Sequence, residues 1–280
     1  MCLAVVALDV HPLYALVLAA NRDEFHARPA QAAHWWNGAH ALAILAGRDL
    51  AHGGTWLGLT RKARWAFVTN VRESGRFDPD APSRGALVPA LLGDARSPAD
   101  ALAAVLADGQ RYNGFNVVVG DASSAAFGSN RADGVIALTP GIHGVSNAGL
   151  DTPWPKLVRA KDGVAAWIAS GDDDLARLWT VLADRAPAAD HELPDTGISR
   201  ERERLLSSPF IVSETYGTRC STLVALTRQG DVEFVERSFD RQGRACGEVA
   251  YRYAADPSTS SITRWAMPAS SNTSPRPTKS

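Results

Sequence analysis

Two uninterrupted apolar runs of strand length open this chain, LAVVAL at 3–8 and YALVLAA at 14–20, with Asp9, His11 and Pro12 in the polar break between them. Each is too short for a packed helix and neither alternates with polar residues, so both faces of each strand need cover from the rest of the chain. The Pro-containing break joins them as an antiparallel hairpin. The fold is thereby constrained from residue 2 onward, because such a hairpin belongs inside a layered structure.

Further strands are predicted at 42–47, 55–60, 64–69, 115–120, 124–129, 134–138 and 142–146, divided by loops rich in Gly, Asn and Asp. A closing pair at 220–227 and 232–238 turns on Gln229, Gly230 and Asp231. Helices are predicted at 83–94 and 97–107, the second started by Ser97 as N-cap, Pro98 and Asp100. Two more are predicted at 155–170, with Leu157, Ala160, Val164, Trp167 and Ile168 at helical spacing, and at 173–186, with Leu175, Leu178, Val181 and Leu182. This order of strands and helices is α+β and predicts two sheets packed face to face with helices outside. From Asp256 the chain turns Ser-, Thr- and Pro-rich, which predicts a disordered tail at 256–280 behind a single domain at 1–255.

The 280 residues are 45% apolar and 21% charged, a globular composition, and a net charge of −1 gives no reason to expect a nucleic-acid partner. The N-terminus lacks both the basic start of a signal peptide and the length of a membrane span. Three widely spaced cysteines, Cys2, Cys220 and Cys246, make no disulfide framework, which fits a reducing cytoplasm. They and the seven scattered histidines make no metal-binding spacing, so no metal and no resident cofactor are expected.

Cys2 stands directly after Met1, and its side chain is small enough to permit removal of the methionine. A free α-amine beside a thiol is a nucleophile and its base on one residue, since that amine titrates near pH 7.7–8.0. The competing reading is a buried thiol that opens a strand. Asn21-Arg22-Asp23-Glu24 closes the second run of the hairpin and so returns to the level of residue 2. There Arg22 can hold a thiolate and Asp23 an amine, although such a quartet also makes an ordinary solvated turn. Gly53-Gly54-Thr55-Trp56-Leu57-Gly58 has no phosphate-loop or dinucleotide pattern and is read as a tight turn feeding a strand. Trp56 is a candidate substrate-binding wall, together with Trp35, Trp36 and Trp154, if these are not core. Cys220 opens an apolar strand and is read as inert.

These segments, with MC at the start, LAANRDEF at 18–25, TN at 69–70, RYNGFN at 111–116, GVSNAGLDTPWPK at 144–156 and YGTR at 216–219, resemble the NRDE family in order along the chain. That family, which includes the transport and Golgi organisation 2 proteins, is similar to the N-terminal-nucleophile hydrolases, which implies a four-layer αββα sandwich. The resemblance implies a catalytic set of Cys2, Arg22, Asp23, Asn70, Asn147 and Arg219. The two asparagines would serve a developing oxyanion and the late arginine a thiolate or substrate carboxylate. In the related hydrolases the early Arg and Asp lie further apart than Arg22 and Asp23, so Glu24 is an alternative for the acidic role and a candidate substrate contact. The implied activity is amide hydrolysis or acyl transfer on a small substrate. A different class is also implied, a non-catalytic cleft that binds or carries haem or an acyl lipid, and beyond it a scaffold that keeps the fold alone. Specificity is assigned to loops 26–41 and 71–82.

Overall fold

The computed structural model describes residues 2–36 and 43–256. In chain order its strands are β1 (Cys2–Leu8), β2 (Tyr14–Phe25), β3 (Ala30–Trp36), β4 (Ile44–Asp49), β5 (Leu57–Thr60), β6 (Trp65–Asn70) and β7 (Phe115–Gly120). They continue as β8 (Ala125–Ser129), β9 (Val135–Ala137), β10 (Gly141–Val145), β11 (Tyr216–Thr227), β12 (Asp231–Phe239) and β13 (Ala245–Ala254). The helices are α1 (Leu87–Gly93), α2 (Pro98–Ala107), α3 (Pro155–Ala169), α4 (Leu178–Leu182) and α5 (Arg200–Leu205).

All strand pairings are antiparallel and make two sheets, β10-β1-β2-β11-β12-β13 and β3-β4-β5-β6-β7-β8-β9. Strand alternation then sorts the two opening runs. Ala4, Val6 and Leu8 of β1 and Leu16, Leu18 and Ala20 of β2 pack between the sheets against Leu57, Trp65, Phe67 and Val118. Leu3, Val5, Ala7, Val17 and Ala19 face the other way and pack on Leu157, Ala160, Val164, Leu178 and Leu182 of α3 and α4. On the far side, Ala66, Val68, Val117 and Val119 pack on Leu87, Val88, Leu91 and Leu102 of α1 and α2. The result is the four-layer αββα sandwich expected. Each large side chain fully buried in these cores, such as Trp65 or Phe234, contributes about 1.5–3 kcal/mol.

Most predicted strands and helix starts hold, and Ser97 Oγ accepts the Asp100 amide at 3.2 Å as the cap of α2. However, β2 runs on to Phe25, β11 begins already at Tyr216, and the helix expected from 83 opens as a 3-10 turn at Arg84–Ala86. Three elements were not read from the sequence: β3, which replaces part of the loop expected at 26–41, β13, and α5. The helix expected at 173–186 is shorter, a 3-10 turn at Leu175–Arg177 that runs into α4. At its end Asn21 Nδ2 donates to the Leu182 carbonyl at 2.8 Å and to the Pro209 carbonyl at 2.9 Å. Of the tail expected at 256–280, all but Asp256 lies outside the described residues. Among the described residues no helix is long and apolar enough to cross a membrane.

Candidate functional site

The register of the first hairpin sets Cys2 opposite Arg22, so the two side chains share a face of the sheet. By the same alternation that places Ala4 and Ala20 between the sheets, this is the inter-sheet face, here open as a cleft. Cys2, Arg22, Glu24, Trp56 and Asn70 line it and Asp23 borders it with its carboxylate turned to the other face, so six of the eight site candidates lie at the cleft. Loop 71–82 contributes Phe77, Asp78 and Pro82 to the same wall.

Arg22 is 5% exposed and lies over the Trp56 ring, its guanidinium carbon 4.3 Å from the centroid. Its Nη2 reaches Asp49 Oδ2 at 3.4 Å and Glu24 Oε2 at 3.9 Å. Arg28 completes this group with a 2.5 Å bond to Asp49. Burial lifts the Asp49 carboxyl, but the Arg28 bond and charge outweigh it and hold the group below the ordinary range. Arg84, on the opposite lip, donates to the Gly114 carbonyl at 2.9 Å and feels the charges of Glu24 and Cys2. The turn that carries it is pinned through a backbone contact: Thr55 N donates to the Gly85 carbonyl at 3.0 Å, and a Cβ on Gly54 would meet Gly85 at 2.4 Å. Gly53 before it takes φ +76°, which explains both glycines of the GGTWLG turn.

Burial pushes the Cys2 thiol above its ordinary range, with Asp23 adding to the effect and Arg22 and a main-chain hydrogen bond from Asp23 opposing it. The proton therefore stays on sulfur at neutral pH.

Asp23 points away from Arg22, into the layer beneath the sheet, and is 1% exposed. Its Oδ1 accepts from Thr218 Oγ1 at 2.7 Å. Burial raises this carboxyl, and the opposing charge of Lys156 is the largest force holding it down. Asn147, fully buried just past β10, donates from Nδ2 to the Asn70 carbonyl at 2.9 Å and accepts at Oδ1 from Lys156 Nζ at 3.2 Å. Its neighbour Ser146 accepts at its carbonyl from Thr69 Oγ1 at 2.6 Å, so residues 69–70 and 146–147 join the two sheets at the floor of the cleft. Glu24 and Asn70 form a divide between this cleft and a wider groove lined by Phe25, Leu205, Phe210 and Tyr216.

The family model described as Transport and Golgi organisation 2 matches residues 1–241. The chain belongs to that family. It is 34% identical over 262 residues to a Transport and Golgi organization 2 homolog of Mus musculus, covering 85% of this chain and 93% of the relative. It is 35% identical over 263 residues to the homolog of Homo sapiens, with the same coverage. Among solved structures, a conjugated bile acid hydrolase from Clostridium perfringens aligns with TM-score 0.47 and 10% identity over 91% of this chain and 97% of that one. An N-acylethanolamine-hydrolyzing acid amidase ortholog of Caenorhabditis elegans aligns with TM-score 0.45 and 11% identity, over 79% and 92%.

In this member of the Transport and Golgi organisation 2 family, Arg219 does not line the cleft. It is the extra residue of a β-bulge, since β11 pairs Thr218 with Asp23 and Cys220 with Arg22. Its Nη1 donates to the carbonyls of Phe25 at 2.9 Å and Arg28 at 3.1 Å, and so braces the turn from β2 to β3. Trp35 packs on Tyr251 and Tyr253 and Trp154 lies under Arg72, so of the four tryptophans Trp56 is the one on the cleft. Trp36 donates to the Ala46 carbonyl. Cys220 is buried, and its thiol is held well above the ordinary range by burial and by Glu236 beside it. Four charged residues of the site, Arg28, Asp49, Arg84 and Lys156, were not singled out as candidates from the sequence. For Lys156 a signal existed, because it precedes Ala160, Val164 and Trp167 on the buried stripe of α3. Among the described residues no three His, Cys, Asp or Glu side chains gather as a metal site.

Proposed function

We propose that this protein is an N-terminal cysteine amidohydrolase or acyltransferase for a small amide or acyl substrate, working in the cytoplasm with Cys2 as nucleophile once Met1 is removed. The observation that carries this reading is the register pair of Cys2 with Arg22 at the floor of a polar cleft that Asn70 and Trp56 also line. Because burial keeps the proton on sulfur, the nucleophile needs a base, and the α-amine of a processed Cys2 lies on the same residue.

The amine takes the thiol proton as Sγ attacks the acyl carbon, and the carbonyl oxygen gains the negative charge. Asn70 on the cleft floor and Asn147 behind it are the amides assigned to that oxygen, and Arg22 and Arg84 bring positive charge to the same cleft. The amine then passes its proton to the departing nitrogen as the C–N bond breaks, leaving a thioester on Cys2. Water or a second nucleophile takes the acyl group and returns the proton to sulfur. Asp23, on the strand beside the nucleophile, is the carboxylate available to hold the α-amine, whereas Glu24 faces the cleft and is better placed to meet substrate.

The test is labelling by an acylating electrophile, followed by intact-mass spectrometry. The wild-type chain is expected to have lost Met1 and to gain one acyl group on Cys2, and Cys2→Ala to gain none. Retained Met1, or equal labelling of Cys2→Ala, would remove Cys2 from the reaction.

A further inference from the structure

Lys156 is the second residue of α3 and is 1% exposed, and none of the steps above uses it. Lysine is almost never buried to this degree without a partner. Its Nζ donates to Asn147 Oδ1, and Asn147 Nδ2 in turn donates to the main-chain carbonyl of Asn70. An ammonium can only donate and a peptide carbonyl can only accept, so the two bonds admit one orientation of the Asn147 amide. Flipping it would set nitrogen against nitrogen at one end and oxygen against oxygen at the other. The second hydrogen on Nδ2 is thereby fixed in direction as well.

Lys156 is also the largest counter-charge to Asp23. Burial brings the amine down to about 8, and Asp23 is the first of the charges that oppose this. Arg72 lowers it further, while Cys2 and Glu203 act with Asp23. Arg22 lies on the other face of the strand and adds to the positive charge around Asp23. Tyr216, which feels the charge of Asp23, is itself held well above its ordinary range, so it is neutral and cannot stand in for either partner.

We propose that Lys156 is a positioning residue of the Cys2 site, which aims the Asn147 amide and supplies the counter-charge that lets Asp23 hold the nucleophile's amine. The proposal rests on the reaction assigned above for what is positioned, though not for how. In chemical terms, a buried lysine sits under the nucleophile and acts through two neighbours without touching substrate.

Three variants and two readouts test it. Lys156→Met removes the charge and the donor, Lys156→Gln keeps a donor for Asn147 and serves if the Met variant does not fold, and Lys156→Arg keeps the charge. The readouts are the pH dependence of Cys2 acylation and the titration of the Asp23 carboxyl followed by carbon NMR. Activity that depends on ionised Asp23 is lost as pH falls through the pKa of that group in the folded protein, and removing a nearby cation raises that pKa. In Lys156→Met and Lys156→Gln both the acid limb of acylation and the Asp23 midpoint are therefore expected to move up by about one pH unit or more. Acylation at pH 7 is expected to fall about ten-fold in Lys156→Met, and Lys156→Arg is expected to restore the acid limb. A Lys156→Met or Lys156→Gln protein that melts earlier but keeps the wild-type Asp23 midpoint would overturn the proposal and leave Lys156 a structural residue. Should wild-type Cys2 not be acylated at all, the assigned reaction falls, and the Asp23 titration still decides the role of Lys156.

Discussion

Residues 21 to 24 are consecutive, yet β2 delivers them into two different environments. Arg22 and Glu24 face the cleft, where Arg22, Glu24, Arg28 and Asp49 share contacts and each acid has more than one basic neighbour. Asn21 and Asp23 face the helix layer, where partners are specific. Asn21 caps two carbonyls and accepts from Ser221 Oγ at 2.5 Å, while Asp23 is held by Thr218 and opposed in charge by Lys156. The cleft face is redundant and partly wet, so losing one member leaves the others paired. The helix face is dry, and losing one member there strands its partner. The same tetrapeptide thus meets a shared, partly exposed network on one face and single, specific partners on the other.

This contrast predicts an order of effects. Asp23→Ala leaves a buried ammonium without its main counter-charge and is expected to lower the unfolding free energy by about 3–5 kcal/mol in a urea titration; a loss under about 1 kcal/mol would erase the distinction between the faces. Arg22→Met leaves Asp49 with Arg28 and is expected to cost about 1 kcal/mol. Because Arg22 opposes the burial that raises the Cys2 thiol, the same variant should carry the pH midpoint of Cys2 alkylation upward. An unchanged midpoint would mean that Arg22 does not act on the nucleophile. Arg219→Ala is expected to cost about 1 kcal/mol through its carbonyl contacts and to leave Cys2 labelling unaltered. A Cys2 defect in Arg219→Ala would return this arginine to the site.

Much of the fold could be read from the order of residues because the apolar runs are long enough to declare their period. The exceptions have physical causes. β13 half-buries one face, so Val249, Tyr251 and Tyr253 alternate with exposed Ala250, Arg252 and Ala254, but only after an exposed opening of small residues at Ala245–Gly247 that carries no strand pattern. β3 is irregular, its pairing with β4 shifting between Gln31 and His34, so no clean alternation marks it. Within the site, the hairpin alone sets Cys2 against Arg22, whereas the position of Arg219 depends on a one-residue bulge that leaves no mark in the sequence. Lys156 could have been found, being a charged residue on a stripe that is otherwise apolar. Arg84 and Asp49 reach the cleft through loop closures among distant residues, which no local pattern encodes.

The connectivity of the two sheets bears on when the cleft can exist during synthesis. The strands β3 through β9 are neighbours in chain order, so that sheet can close as each strand leaves the ribosome. The other sheet brackets it: β1 and β2 are made first, yet β1 gains its second neighbour only when Gly141–Val145 arrives, and β2 only with Tyr216–Thr227. A growing chain therefore holds Cys2 on a hairpin with both outer edges unpaired until β10 is made, and with the β2 edge still open until β11 follows. The strand that closes β2 also brings Thr218 to Asp23, so a chain cut short before β11 would have Cys2 paired with Arg22 but neither a closed sheet nor a settled acid beside them.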